Sequence, residues 1–157
     1  MAYQETLRVQ DVINGALGAV YLIENGQREL VMNCKDITAE VKKNKKEIKV
    51  LGSAGAKHKA TGWTGTGSMT MYYGTSKLRE AMLKYMDKGI DSYYEMVVSN
   101  NDPSSDIGTQ TVVLAGVNFD NTTLAKVDIN NSELDEQITF TFQGASMLEK
   151  FNQYKGE

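Results

Sequence analysis

The sequence is poor in the residues from which most catalytic and metal sites are built. Its 157 residues include one cysteine, Cys34, one histidine, His58, and one proline, Pro103. A single cysteine excludes an internal disulfide and a cysteine cluster, and a single histidine leaves any triad or multi-histidine metal site resting on one residue. A single proline permits long strands. We therefore predict no catalytic residue, no metal site and no cofactor.

Long apolar runs and an excess of basic residues are also missing. No stretch approaches the roughly 18–20 apolar residues of a membrane-spanning helix, and the first residues lack the basic and apolar segments of a secretion signal. The formal net charge is −3, whereas dedicated nucleic-acid-binding domains usually have a basic surface. We expect a protein folded in a cytosol, without a membrane partner.

What the chain contains is typical of one β-rich domain. Residues 18–32 predict a hairpin, because Asn25-Gly26 supplies the two positive-φ residues of a tight turn. Across residues 43–46 the apolar positions change from odd to even, which predicts a β-bulge or a break of the strand, because one extra residue moves every later side chain to the other face. The other predicted strands, read from period-two patterns or apolar runs, cover residues 36–42, 48–50, 61–73, 93–99, 109–119 and 137–143.

One helix is predicted from the spacing of its apolar residues, at about residues 75–88. Thr75 or Ser76 can cap its start and Gly89 its end. Its apolar stripe comprises Leu78, Ala81, Met82, Tyr85 and Met86. At the two ends of the chain we expect an N-terminal arm, residues 1–17, and a C-terminal tail, residues 145–157. Residues 146–154 of this tail are expected to form a short helix or an arm that packs on a neighbour.

Short motifs with a chemical interpretation each have a simpler structural one. Residues 62–67, Gly-Trp-Thr-Gly-Thr-Gly, lack the ending of a phosphate-binding loop, and a close backbone approach or a bend explains the glycines better. Residues 128–133 resemble a calcium loop, but Glu133 stands where glycine is required, which favours a turn. Cys34 is interpreted as a small buried hydrophobe rather than a nucleophile, and His58 as a solvated or interface residue.

Lysines form the densest charge cluster of the chain. The cluster comprises Lys42, Lys43, Lys45, Lys46 and Lys49, with Lys57 and Lys59 facing it across a predicted hairpin. Three interpretations stay open at this point. The lysines could contact nucleic acid, protect an exposed strand from wrong pairing, or dock on an acidic face of an identical copy.

Residues that carry a family resemblance extend over almost the whole chain. They are Glu40-Val41, Lys43-Asn44-Lys45, Glu47, Gly52, His58-Lys59, Thr61-Gly62, Gly65-Thr66-Gly67, Thr75-Ser76-Lys77, Gly108-Thr109, Val117-Asn118-Phe119-Asp120, Leu124-Ala125, Asp128 and Phe140-Thr141-Phe142. In this order they resemble the inner tail-tube (tail core) proteins of contractile phage tails. The resemblance is to the PBSX-prophage type, which includes clostridial phage-tail-like bacteriocins such as diffocin.

The resemblance implies a mainly β (α+β) fold, an antiparallel β-sandwich or barrel with one flanking helix, in a single domain over residues 1–157. It implies a structural, non-enzymatic subunit that assembles into hexameric rings, which stack into a hollow tube. Sheath, baseplate and tape-measure proteins are the implied partners, with DNA in the lumen only in a true phage. Assembly would take place in the host bacterial cytoplasm, and the product would be a virion tail or a released bacteriocin particle.

The resemblance to tail-tube proteins also implies roles for the predicted hairpins. Residues 36–50 with 61–73 are expected to form one lumen hairpin, and residues 109–119 with 137–143 another. The expected lumen-facing side chains are Thr38, Glu40, Lys42, Glu47, Lys49, Ser68, Thr70 and Tyr72. The loop over residues 51–60 is expected to contact the next ring through Lys57, His58 and Lys59. A type VI-like secretion tube and a small ligand-binding β-barrel remain the alternatives.

Overall fold

The computed structural model describes residues 9–30, 34–74 and 76–152. A short 3₁₀ turn, Val9–Asp11, precedes eight strands and one helix. The strands are β1 (Gly18–Glu24), β2 (Gln27–Leu30), β3 (Cys34–Ile48), β4 (Lys57–Tyr72), β5 (Tyr94–Asn101), β6 (Thr109–Phe119), β7 (Asp135–Phe142) and β8 (Gly144–Glu149). The helix α1 (Lys77–Lys88) lies between β4 and β5. The prediction of a mainly antiparallel β fold with one short helix is confirmed.

No helix within the described ranges is long and apolar enough to cross a membrane.

The chain forms two compact units. The first comprises the described parts of residues 1–32, 93–115 and 145–157, and the second those of residues 33–92 and 116–144. Strand β6 belongs to both, because it passes from the first to the second unit at Gly116, which has a φ of 65°. The assignment of residues 1–157 to one domain stays a prediction.

The first unit is built around the predicted N-terminal hairpin. Its strand order is β2-β1-β5-β6. Asn25 and Gly26 have φ angles of 52° and 79°, so the tight turn forms as predicted and brings Glu24 opposite Gln27. The buried apolar side chains of this unit are Val20, Leu22, Tyr94, Met96, Val97 and Leu114.

The C-terminal tail differs from its prediction. Residues 144–149 form a strand, β8, which pairs with β6, so the predicted helix is wrong for these residues, while the alternative of an arm that packs on a neighbouring copy is not tested. The physical reason is that the edge of β6 offers ladder hydrogen bonds, which an extended chain satisfies better than a short isolated helix does. A side-chain hydrogen bond of 2.7 Å from Thr111 to Glu149 adds to the pairing. Residues 153–157 lie outside the described residues.

The second unit is an antiparallel sheet in the order β6-β7-β4-β3. The β3–β4 register shifts between Asn44 and Lys45, where a bulge or a break was predicted, but the extra residue is Thr61 of β4, so the predicted phase change of β3 is wrong. The loop predicted over residues 51–60 is wrong in its second half. Residues 57–60 already belong to β4, where they pair with residues 45–48. Lysine, histidine and alanine show no apolar alternation, so only the partner strand defines them as extended.

Helix α1 starts at Lys77 and ends as predicted. Gly89 adopts a left-handed conformation with a φ of 67° and donates a 2.8 Å backbone hydrogen bond to Tyr85. Ser76 occupies the N-cap position, but within the described chain its hydroxyl makes no capping hydrogen bond. Thr75, the other predicted cap, lies outside the described residues. The predicted stripe is only partly covered: Leu78 is buried, Ala81 and Met82 are half-buried, and Tyr85 and Met86 are exposed.

Candidate functional site: a sheet with one polar and one apolar face

Three strands of the second unit align polar side chains on one face. The register places Thr38 of β3, Ser68 of β4 and Thr139 of β7 in one row. A second row consists of Glu40, Thr66 and Thr141, and a third of Asp36, Thr70 and Gln137. Because side chains alternate between the faces of a strand, all nine lie on the same face. We call this the polar face.

The opposite face carries the apolar rows of the same three strands. Ile37, Met69 and Ile138 share one row, and Met69 and Ile138 are 1% and 0% exposed. The next two rows are Ala39, Gly67 and Phe140, then Val41, Gly65 and Phe142. The sheet therefore has a water-facing side and a packed side over the same rows.

Two glycines of β4 make room for aromatic rings on the packed side. A Cβ atom on Gly65 would lie 2.5 Å from the ring of Phe142, and one on Gly67 would lie 2.7 Å from the carbonyl oxygen of Thr38 and collide with the ring of Phe140. Phe140 also meets Phe119 edge to face, with ring centroids 6.0 Å apart. The predicted close backbone approach is confirmed at these two glycines. Gly62 has no heavy atom within 4 Å of such a Cβ.

A buried ion pair joins helix α1 to the packed side of the sheet. Arg79 donates a 2.9 Å hydrogen bond to Glu136, whose side chain is 1% exposed. The guanidinium of Arg79 also lies 4.1 Å from the ring centre of Tyr73. Glu136 accepts a second bond, of 3.3 Å, from the backbone N–H of Thr123. These contacts fix the helix on the face away from the polar rows.

The register shift changes which residues of β4 continue the polar face toward the hairpin tip. Asn44 pairs with Gly62 and Lys45 with Ala60, so the extra residue is Thr61 of β4 and β3 keeps its alternation. The predicted lumen residue Glu47 therefore lies on the face opposite to that of Thr38, Glu40 and Lys42. Thr38, Glu40, Lys42 and Glu47 are exposed in β3, and Tyr72 is exposed in β4; Ser68 and Thr70 are half-buried, and Lys49 follows the end of β3. Their role as lumen residues stays a prediction.

The two predicted lumen hairpins are parts of one sheet. β3 pairs with β4 over 14 residue pairs, and β6 pairs with β7 at Asn118↔Thr141 and Phe119↔Phe140. Sequence reasoning missed the β4–β7 pairing, which joins them through eight residue pairs. Pairing between strands more than 60 residues apart leaves no local signal in a single sequence.

The predicted ring-contact residues lie near the tip of the β3–β4 hairpin. Lys57 pairs with Ile48, His58 with Glu47, and Lys59 with Lys46. All three are exposed. The prediction that Lys57 and Lys59 face the β3 lysines across a hairpin is therefore confirmed, while their contact with another ring is not tested.

An ionic cluster lies where the polar face ends at the start of β7. Lys35 donates a 3.1 Å hydrogen bond to Asp135 and lies 5.1 Å from the ring centre of Tyr72. The hydrogen bond raises the pKa of Lys35 and lowers the pKa of Asp135. Lys126 donates a 2.7 Å bond to the backbone oxygen of Asp135. The cluster ties the β6–β7 loop to the start of β7.

The remaining motifs have structural positions. Asp128 accepts bonds from the backbone N–H of Asn130 at 3.0 Å and from the side chain of Asn131 at 2.7 Å, so residues 128–131 form the predicted turn. Cys34 is half-buried at the start of β3, and burial raises the pKa of its thiol. In the described part of the chain, no group of three His, Cys, Asp or Glu residues is placed to hold a metal ion.

Sequence reasoning also missed two features of this unit. Glu136 was not singled out, although it is in phase with Ile138, Phe140 and Phe142, a signal that marks it as inward-facing. Residues 128–133 of the β6–β7 loop were interpreted only as a turn, although the loop carries exposed apolar side chains next to carboxylates. The first signal was available from the sequence, and the second required burial data.

Known structures and sequences define the class of this fold. The protein is similar to a chain in a cryo-EM structure of an extracellular contractile injection system, the PVC sheath-tube complex in its extended state. The TM-score is 0.67 at 10% sequence identity, and the match covers 88% of this chain and 93% of that one. A chain of the anti-feeding prophage baseplate matches with a TM-score of 0.64 at 10% identity, covering 94% and 97%. The fold is therefore tail-tube-like.

Sequence similarity then identifies the family. The chain belongs to the phage tail tube protein family, which matches residues 5–149. The phage-like element PBSX protein XkdM of Bacillus subtilis (strain 168) is 36% identical over 146 residues, which cover 93% of this chain and 97% of that protein. The predicted resemblance is thus confirmed, and the chain is a structural subunit of a tail tube.

Proposed function

We propose that six copies of this chain close into a ring, and that the rings stack into the inner tube of a contractile tail or tail-like bacteriocin. The polar face of β3, β4 and β7 carries the proposal, because its rows of threonine, serine and charged side chains suit the wall of a water-filled channel. The packed side, with α1, faces away from the channel. Thr38, Glu40, Lys42, Ser68, Thr70 and Tyr72, which share the polar face, line the lumen, whereas Glu47 lies on the opposite face of β3 and Lys49 follows its end.

Long strand edges support assembly over a monomeric role. β3 is the last strand in the order β6-β7-β4-β3 and is 15 residues long. A long edge offers unpaired backbone groups to another chain, and closed rings of identical subunits remove such edges. The tube would be non-catalytic, would assemble in the bacterial cytoplasm, and would meet sheath, baseplate and tape-measure proteins.

Electron microscopy of the purified full chain tests this proposal. At high protein concentration we expect rings with six-fold symmetry and hollow rods built from them. Analytical ultracentrifugation of the same sample should show large assemblies whose fraction increases with concentration. A chain that stays monomeric at every concentration, salt and pH would contradict the proposal.

A further inference from the structure

The tip of the β3–β4 hairpin extends beyond the supporting strand. We define residues 43–63 as the ribbon. β7 pairs with β4 as far as Gly65↔Phe142, and beyond that point β3 and β4 pair with each other. Every residue of the ribbon is exposed. Since a two-stranded ribbon is marginally stable in water, the ribbon gains order when another surface covers it.

The composition of the ribbon indicates the chemistry of that surface. It contains six lysines and one glutamate. Lys46 stands directly opposite Lys59, an arrangement of like charges that destabilises a strand pair unless an anionic group lies near it. Four large apolar side chains are exposed on the same ribbon: Ile48 at 39%, Val50 at 47%, Leu51 at 101% and Trp63 at 48%. The ribbon therefore suits a surface that is both acidic and apolar.

Such a surface exists on the same unit of this chain. We define residues 120–134, between β6 and β7, as the acceptor loop. It contains three carboxylates, Asp120, Asp128 and Glu133, and one lysine. Its apolar side chains Leu124, Val127 and Ile129 are 49%, 98% and 95% exposed. The charge of the acceptor loop is therefore opposite to that of the ribbon, and both surfaces expose large apolar side chains.

The ribbon and the acceptor loop lie at opposite ends of β4. The loop is anchored beside the last residues of this strand, because Tyr73 N–H donates a 2.9 Å bond to Leu134 and Tyr72 pairs with Asp135. The ribbon tip begins at the other end, at Lys57, and the strand between them has 16 residues, or about 50 Å of extended chain. Complementary surfaces at opposite ends of one strand suit a head-to-tail contact between copies, which extends into a filament when its rotation does not close a ring.

We propose that the ribbon of one copy docks on the acceptor loop of a second copy in the next layer of the tube. The contact pairs ribbon lysines with loop carboxylates around an apolar centre that includes Leu51 and Val127. This inference rests on the proposed tube function and names the two surfaces through which layers stack. Of the three interpretations of the lysine cluster, this proposal favours docking on an acidic face of an identical copy.

A charge exchange between the two surfaces tests the docking. The ribbon variant carries Lys46→Glu, Lys57→Glu and Lys59→Glu, and the loop variant carries Ser132→Lys and Glu133→Lys. We expect each variant alone to raise the protein concentration needed for tube formation by roughly tenfold or more. We expect the combined variant, in which the charges are exchanged, to recover most of the loss. Sedimentation and electron microscopy measure both.

Controls separate loss of docking from loss of folding and from failure of the tube itself. Circular dichroism checks each fold, and Lys46→Gln, Lys57→Gln and Lys59→Gln replace the charge reversal if it fails to fold. A Lys84→Glu, Lys88→Glu variant of α1 should stack normally. Tubes formed equally well by the ribbon variant, or no recovery in the combined variant, would overturn the docking while leaving the tube intact. A wild-type chain that forms no tubes would overturn the proposed function itself.

Discussion

The ring of Phe140 lies over Gly67 at a place where any Cβ atom on residue 67 would collide with it. Phe140 is fully buried, and its row in the sheet includes Gly67 and Ala39. The absence of a side chain on β4 thus lets the ring approach the backbone. The packed side of the sheet depends on this relationship, and with it the separation of polar and apolar faces.

Replacing Gly67 with alanine should destabilise the chain by about 1–3 kcal/mol, because the added methyl group overpacks the core against Phe140. The free energy of unfolding in urea measures the effect on unassembled protein. Gly62→Ala is the matched control, since its Cβ would meet no atom within 4 Å, and it should change stability by less than about 0.5 kcal/mol. Equal stability of the two variants would contradict the packing described.

Breaking the ion pair between Arg79 and Glu136 should be costly. Arg79→Met leaves a carboxylate that is 1% exposed without its cation, for which we expect a loss of about 3 kcal/mol in unfolding free energy. Lys35→Met serves as the control, because the Lys35–Asp135 pair is 35% and 43% exposed and is screened by solvent, so its loss should lower the unfolding free energy far less than Arg79→Met does. If Arg79→Met proves as mild as Lys35→Met, the pair does not hold α1 on the sheet.

Acid should weaken the first unit through Asp102. This buried carboxylate accepts bonds of 2.6 Å and 3.0 Å from the hydroxyl and N–H of Ser104, and one of 2.9 Å from the N–H of Asn14. The hydrogen bond from the Ser104 hydroxyl, followed by the two from backbone N–H groups, lowers the pKa of Asp102. The stabilisation is present above the unfolded-state pKa of roughly 4 and is lost as the pH falls through the lower folded-state pKa.

The corresponding measurement compares wild type with Asp102→Asn by urea unfolding across a pH series. Wild type should be the more stable at neutral pH, and the difference should narrow as the pH falls below about 4. A gap between wild type and Asp102→Asn that is constant over the whole series would rule out this role for Asp102.

Hydrogen exchange should distinguish the ribbon from the sheet that supports it. In unassembled protein, amides of residues 43–63 should exchange much faster than those of residues 138–142, because the ribbon has a partner strand but no covering layer. After assembly the ribbon should become protected. Ribbon amides that are already protected in the monomer would show that the ribbon is stable without a second copy.

Local signals in the sequence predicted local structure well. The Asn25-Gly26 turn and the Gly89 cap both have backbone causes that act within a few residues. The polar alternation of β3 and β4 identified the polar face as far as Asn44, but the phase change predicted for β3 was wrong, because the extra residue lies on β4. Each of these features depends on residue type and spacing alone.

Features that depend on distant partners were not predictable in the same way. Residues 57–60 and 144–149 are strands only because another strand lies beside them. The order β6-β7-β4-β3 brings together segments that are far apart in the chain. Tyr85 and Met86 are a further example. The apolar stripe of α1 predicts a covered face, but the sequence does not show what would cover it, and both side chains are exposed.

The central claim is that the polar face of β3, β4 and β7 lines a channel, and cysteine labelling of assembled tubes tests it most directly. Thr139→Cys on the polar face and Lys84→Cys on α1 are each made with Cys34→Ser, so that one thiol is present. In unassembled protein, both should react with a small maleimide and with a bulky polyethylene-glycol maleimide. In tubes, Cys at position 139 should keep its reaction with the small reagent and lose that with the bulky one, while position 84 should react with both. Equal reaction of position 139 with the bulky reagent before and after assembly would contradict a channel wall built from this face.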